Sequence, residues 1–209
     1  MSPSNVIDQA LEHIRTADSK FATFLRDAPD CVLAQPLHES DFETLIFAVI
    51  GQQVSAKAAD SMRLRLLEQT GRPLLAEHLL NLGHDGLREF GFTRAKSRTM
   101  VELCEALLAG QLDFAHMRSL DDSSAVAYLS QFWGIGRWTS EMLMIFRMGR
   151  LDLWPTGDLG VRRGWSIIQG LDEIRSPAAM ENAADHLRPY RSVAAWYCWV
   201  ATREDSKFW

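Results

Sequence analysis

The stretch Phe132-Trp133-Gly134-Ile135-Gly136-Arg137-Trp138-Thr139 sets a Gly-x-Gly turn between two helix-like segments. Val126, Leu129 and Phe132 are apolar at helical spacing before the turn, and Leu143, Ile145 and Phe146 continue the apolar pattern after it. Two amphipathic helices joined so briefly form a helix-hairpin-helix candidate over about 122–148, with Ile135 filling the core beneath the turn. Such a turn leaves backbone N–H groups at a helix start, where a phosphate is well held. No strand pattern precedes it, which removes the dinucleotide-fold reading. Gly-x-Gly turns are common, so this one alone names no ligand. Twenty-two residues past Gly136, however, Trp154-Pro155-Thr156-Gly157-Asp158-Leu159-Gly160-Val161 places one carboxylate, Asp158, at the head of another helix. By itself Asp158 reads as an N-cap after Pro155 and Gly157. Together, a phosphate grip and one positioned carboxylate point to chemistry on a nucleic acid.

Outward from the hairpin, the pattern stays helical. Phe42, Leu45, Ile46, Val49 and Ile50 follow i, i+3, i+4, i+7, i+8 spacing, with Ser40 as N-cap and Glu43 completing a capping box. That spacing predicts one helix from Ser40 to about Thr70, with Gly51 a weak interior point and Gly71 and Pro73 as its stop. Further helices are expected over roughly 74–80, 85–90, 94–109 and 122–131. Others should run from the hairpin to about Met148 and over 158–169, 177–188 and 191–203. Asp121-Asp122-Ser123-Ser124 supplies caps for the helix before the hairpin. Sustained period-2 alternation and internal repeats are absent. The expected class is all-α, with two helical subdomains: 36–150 carrying the hairpin, and 1–35 plus 151–209 carrying Asp158.

Composition narrows the setting. A chain of 209 residues, 47% hydrophobic and 23% charged, can bury a full core. No apolar run approaches the ~18–20 residues a bilayer span needs, so no membrane association is expected. Met1-Ser2-Pro3-Ser4-Asn5 lacks signal-peptide character, and Cys31, Cys104 and Cys198 lie far apart, as reduced cytoplasmic thiols do. The six histidines form no metal-binding cluster, which argues against a catalytic zinc. Net charge is −5, against indiscriminate DNA coating. Basic residues nevertheless gather at Arg94, Lys96 and Arg98, at Arg137, Arg147 and Arg150, and at Arg162 and Arg163, so a local basic face is expected.

Gly-Ile-Gly-Arg-x-Thr followed by Pro-x-x-Asp-Leu-Gly-Val resembles the helix-hairpin-helix superfamily of DNA base-excision glycosylases. Ile50-Gly51-Gln52-Gln53-Val54-Ser55-x-x-Ala58-Ala59 resembles the family's DNA-facing helix. Pro189-Tyr190-Arg191-Ser192 running into Trp196-Tyr197-Cys198-Trp199 resembles the alkylation-repair branch, 3-methyladenine DNA glycosylase II. The resemblance covers about residues 40–203 in order, and it implies a DNA-binding cleft between the subdomains. It gives Asp158 the role of catalytic carboxylate and Gln53 that of the side chain inserted into the gap left by the extruded base. It gives Trp138 and Trp199 aromatic faces lining the base pocket, although on residue type alone both read equally as core. Gly134, Gly136 and Thr139 are implied to hold the DNA backbone. The backbone carbonyls of Ser130, Phe132 and Gly134 match positions that hold a monovalent cation, Na or K, in some relatives.

Position 138 discriminates further. Bifunctional relatives carry a lysine there to form a Schiff base with the sugar; Trp138 cannot. The four-cysteine iron–sulfur spacing of the endonuclease III branch is also missing. The implied activity is a monofunctional glycosylase for alkylated bases, acting as a monomer on damaged double-stranded DNA without an organic cofactor. Two alternatives stay open: a glycosylase of other lesion specificity, and a non-catalytic helix-hairpin-helix DNA-binding protein. The sequence departs from longer relatives in three respects: Gly157 where some carry a second aspartate, Met142 where some carry an aromatic, and no mixed α/β domain before Ser40. The last implies a more open pocket.

Overall fold

Side-chain caps decide where the helices of this chain begin. The computed structural model describes residues 3–33 and 39–202, and within them every regular element is helical, as the sequence pattern predicts. In order these are α1 (Pro3–Ala17), α2 (Ser19–Phe24), α3 (Asp41–Gly51), α4 (Ala56–Thr70), α5 (Ala76–Glu89) and α6 (Arg94–Leu108). They continue with α7 (Phe114–Ser119), α8 (Asp122–Leu129), α9 (Arg137–Phe146), α10 (Leu159–Gln169), α11 (Pro177–Met180), a 3-10 turn (Asp185–Leu187) and α12 (Arg191–Ala201). No helix among the described residues is long and apolar enough to cross a membrane.

Asp121 caps α8 by accepting the Ser124 N–H at 2.9 Å, and Thr93 caps α6 through the Lys96 N–H at 3.2 Å. Ser40 caps α3 through the Glu43 N–H at 3.0 Å. Only half of the expected capping box acts as a cap, because the Glu43 carboxylate lies 3.5 Å from Arg72. Burial pushes the Glu43 carboxyl up, and Arg72 opposes that shift.

The single helix expected over Ser40–Thr70 is two helices. Between α3 and α4, Gln53 takes a left-handed φ of +54°, the one non-glycine residue with positive φ among those described. Ser55 then caps α4 through the Ala58 N–H at 3.3 Å. The predicted helix over 177–188 is likewise interrupted, with only α11 and the 3-10 turn formed. The predicted pair over 74–80 and 85–90 becomes α5, kinked at Gly83 (φ +62°). Helices α1, α2 and α7 are additions to the sequence expectation, although Ile7, Ala10 and Ile14 on α1 are buried at helical spacing. The last residue of the helix expected over 191–203 lies outside the described residues.

The chain divides into two compact units. One comprises the described residues of Leu37–Met148. Its centre is α3, buried from Phe42 to Ile50 and packed against α4, α6 and α9. A helix apolar all round belongs inside, and this one is enclosed by neighbours. Lys96, expected on a basic face, is 7% exposed and turned into this core.

The other unit comprises the described residues of Met1–Pro36 and Gly149–Asp205. Its centre is α12, buried from Ser192 to Trp199 and packed against α1 and α10. Gly164 makes the α10–α12 approach possible, since a Cβ there would fall on the backbone carbonyl of Cys198. Replacing Gly164 with alanine is expected to destabilise the protein by about 3 kcal/mol, as overpacking against backbone does. For a chain of this size that lowers Tm by about 6–12 °C, readable by calorimetry.

Candidate active site and nucleic-acid hairpin

In the unit built on α12, four hydrogen bonds fix the stretch of backbone that delivers Asp158. The Leu153 N–H donates to Ser192 Oγ at 2.9 Å, and the Trp154 indole N–H donates to the Met180 carbonyl at 2.9 Å. The Thr156 N–H then closes on the Trp154 carbonyl, and the Asp158 N–H on the Pro155 carbonyl at 3.0 Å. Asp158 follows as N-cap of α10, half-buried. Its Oδ1 accepts two hydrogen bonds, from the Val161 N–H at 2.8 Å and from the Trp199 indole N–H at 2.9 Å. The carboxylate is therefore held in one orientation by a helix start and by a side chain of α12.

Trp199 is thus brought to Asp158, but not as an open aromatic face. It is 5% exposed, and it meets the carboxylate edge-on through Nε1. Gly160 makes room for it: a Cβ there would lie 2.8 Å from Trp199 Cδ1 and 3.0 Å from Asp158 Oδ1. Gly160 and Gly164, one helical turn apart, line the face of α10 that receives α12. This pair is a signal readable in the sequence that motif reasoning passed over.

In the unit built on α3, the hairpin joins α8 to α9. Ile135 is buried beneath it, as the sequence implied, with its N–H on the Phe132 carbonyl at 3.1 Å. The two glycines of the turn differ in what requires them. Gly134 has φ +78°, and a Cβ there would collide with Thr99 of α6, so the fold itself demands glycine. Gly136 has φ −111°, and a Cβ there would meet nothing within 4 Å. Among the described residues, nothing accounts for a glycine at 136. Gly136 is also the N-cap of α9 and makes no side-chain cap hydrogen bond to the first turn.

Thr139 is 2% exposed, and its hydroxyl accepts from Gln52 Nε2 at 2.9 Å, so its side chain faces inward. The same Gln52 Nε2 donates to the Gly134 carbonyl at 3.0 Å. Gln52 therefore ties the end of α3 to the hairpin, a role the sequence reading did not assign. Next to it, Gln53 is exposed on its left-handed turn. Trp138 is half-buried near Gly51, where a Cβ would lie 3.7 Å from Trp138 Cη2. On the flank of the hairpin, the Arg98 guanidinium stacks over the exposed Trp133 ring at 4.1 Å.

Of the three carbonyls implied to hold a monovalent cation, Phe132 accepts from Ile135 and Gly134 accepts from Gln52. A carbonyl has two lone pairs, so one such bond does not exhaust either oxygen as an acceptor. Among the described residues, no cluster of three or more His, Cys, Asp or Glu could hold a metal ion. All three cysteines are free and buried, and burial pushes the thiols of Cys31 and Cys104 up to about 12.

A family model described as HhH-GPD superfamily base excision DNA repair protein matches residues 46–189. DNA-3-methyladenine glycosylase 1 of Schizosaccharomyces pombe is 30% identical over 165 residues, covering 78% of this chain and 72% of the relative. A solved structure of a 3-methyladenine DNA glycosylase from the same yeast, in complex with abasic DNA, superposes with a TM-score of 0.82 at 26% identity. It covers 91% of this chain and 95% of that one. A crystal structure of a DNA-3-methyladenine glycosidase from Bacillus halodurans has a TM-score of 0.74 at 30% identity, covering 92% of this chain and 88% of that one.

Proposed function

The chain belongs to the HhH-GPD superfamily of base excision DNA repair proteins, and we propose that it is a monofunctional DNA glycosylase that hydrolyses the N-glycosidic bond of alkylated bases such as 3-methyladenine and 7-methylguanine. The observation that carries this reading is the Asp158 carboxylate, fixed at a helix start by the Val161 N–H and the Trp199 indole.

A base stacked in a duplex is out of reach, so it must be extruded, at a few kcal/mol that damaged bases lower. The hairpin grips a backbone phosphate at Gly136 and the first turn of α9, reading no sequence. Gln53 fills the vacated gap. The Trp138 ring takes the extruded base by stacking, favouring a cationic alkylpurine by roughly 0.5–2 kcal/mol. That base already carries positive charge, so it leaves as a neutral molecule without a strong acid. As the bond from C1′ to the base nitrogen breaks, the sugar gains oxocarbenium character, and the Asp158 carboxylate stabilises it. Water adds to C1′ as the neutral base departs and passes its proton to the Asp158 carboxylate, leaving an abasic site. A monovalent cation on the carbonyls of Ser130, Phe132 and Gly134 would add positive charge beside the gripped phosphate. The protein acts as a monomer on damaged double-stranded DNA.

Duplexes each carrying one defined lesion test the reading. Free base is expected to be released from alkylated purines, with strand breaks only after alkali. Borohydride is expected to trap no protein–DNA adduct, since Trp138 stands at the Schiff-base position. A trapped adduct would make the enzyme bifunctional. Failure to release any base while still binding DNA would leave only a binding protein.

A further inference from the structure

No proline interrupts residues 41–70, yet α3 stops at Gly51. In a continuous helix the Val54 N–H would donate to the Ile50 carbonyl four residues back. Here that carbonyl receives instead the ammonium of Lys96, Nζ to O at 2.7 Å, from the first turn of α6. Ile50 is 1% exposed and Lys96 is 7% exposed, so without the lysine a buried carbonyl would be left without its donor. A cation at the C-terminal end of a helix also meets the negative end of its dipole. The arrangement has a cost, since burial pulls the Lys96 ammonium down from its ordinary range. A charge kept inside against that cost stands at the one point where α3 must end and the left-handed turn of Gln53 must begin.

We propose that Lys96 is a positioning residue for base extrusion: its ammonium replaces the donor that α3 gives up, and so fixes the turn that presents Gln53. Gln52 holds the same turn from its other side, through the hairpin. The segment that carries Gln53 is thus clamped between α6 and the phosphate-gripping loop. The proposal rests on the reading of Gln53 as the gap-filling residue.

Single-turnover excision of one alkylated purine tests it, in a fully paired duplex and in a duplex where the lesion faces a gap and is already unpaired. Gln53→Ala is expected to lose about tenfold on the paired duplex and little on the unpaired one. Lys96→Met is expected to show the same paired-to-unpaired ratio, and the double variant to be no worse than either single one. Equal loss on both duplexes by Lys96→Met, or losses that multiply in the double variant, would make Lys96 a structural residue only and overturn the proposal. Equal loss or no loss on both duplexes by Gln53→Ala would instead remove the gap-filling role itself. If Lys96→Met does not fold, Lys96→Gln, neutral and shorter, is read by the same ratio.

Discussion

Asp158→Asn is expected to lower single-turnover excision of 3-methyladenine by about 10²–10⁴-fold while leaving the protein folded, because it removes a charge that the oxocarbenium-like sugar needs. The surroundings of the carboxylate let this substitution isolate the charge. Asparagine keeps an Oδ1 acceptor, so the Val161 N–H and the Trp199 indole retain their partner. Asn and Asp serve about equally well as N-caps, so α10 should start where it does now. Tm is therefore expected to stay within a few degrees, and affinity for lesion-bearing DNA to be kept. Measuring Tm, affinity and excision on the same preparation separates the chemistry from the fold. Excision at the wild-type rate by this variant would sink the assignment of Asp158.

What the sequence disclosed and what it withheld divide along distance in the chain. The hairpin, the caps at Ser40 and Asp121, and the Pro-Thr-Gly break before Asp158 are local signals, and local hydrogen bonds carry the caps. The break between α3 and α4 is hidden because its cause lies elsewhere. Lys96 reaches Ile50 across 46 residues of sequence, and Gln52 reaches Gly134 and Thr139 across 82 and 87. Apolar periodicity runs through Gly51 without a sign of either. The same reason moves Lys96 from an expected basic face to the core. Resemblance makes Trp199 an aromatic wall, whereas its contact with Asp158, 41 residues away, emerges only when α12 packs onto α10. The glycines at 160 and 164 announce that close packing. What they cannot announce is which edge of the indole turns toward the carboxylate.

That edge decides the second large effect. Trp199→Phe keeps an aromatic ring among the same neighbours and removes one atom group of consequence, the Nε1–H that donates to Asp158 Oδ1 at 2.9 Å. A hydrogen bond to a charged group contributes about 1.5–3 kcal/mol, so loss of the bond should slow excision by roughly 10–150-fold. Phenylalanine is smaller than the buried indole it replaces, so some stability will be lost as well, and rate alone is not decisive. Introducing Trp199→Phe into the Asp158→Asn background resolves the ambiguity. If the indole works by orienting the carboxylate, the substitution should cost the double variant little further activity, because the group it orients has already lost its charge. A general packing defect would lower both backgrounds by the same factor and track the change in Tm. An indole that touched the base would give a third pattern, with charged 3-methyladenine losing more than neutral hypoxanthine whatever residue stands at position 158. The expected result is strong loss in the wild-type background, little further loss once Asp158→Asn is present, and no difference between charged and neutral bases.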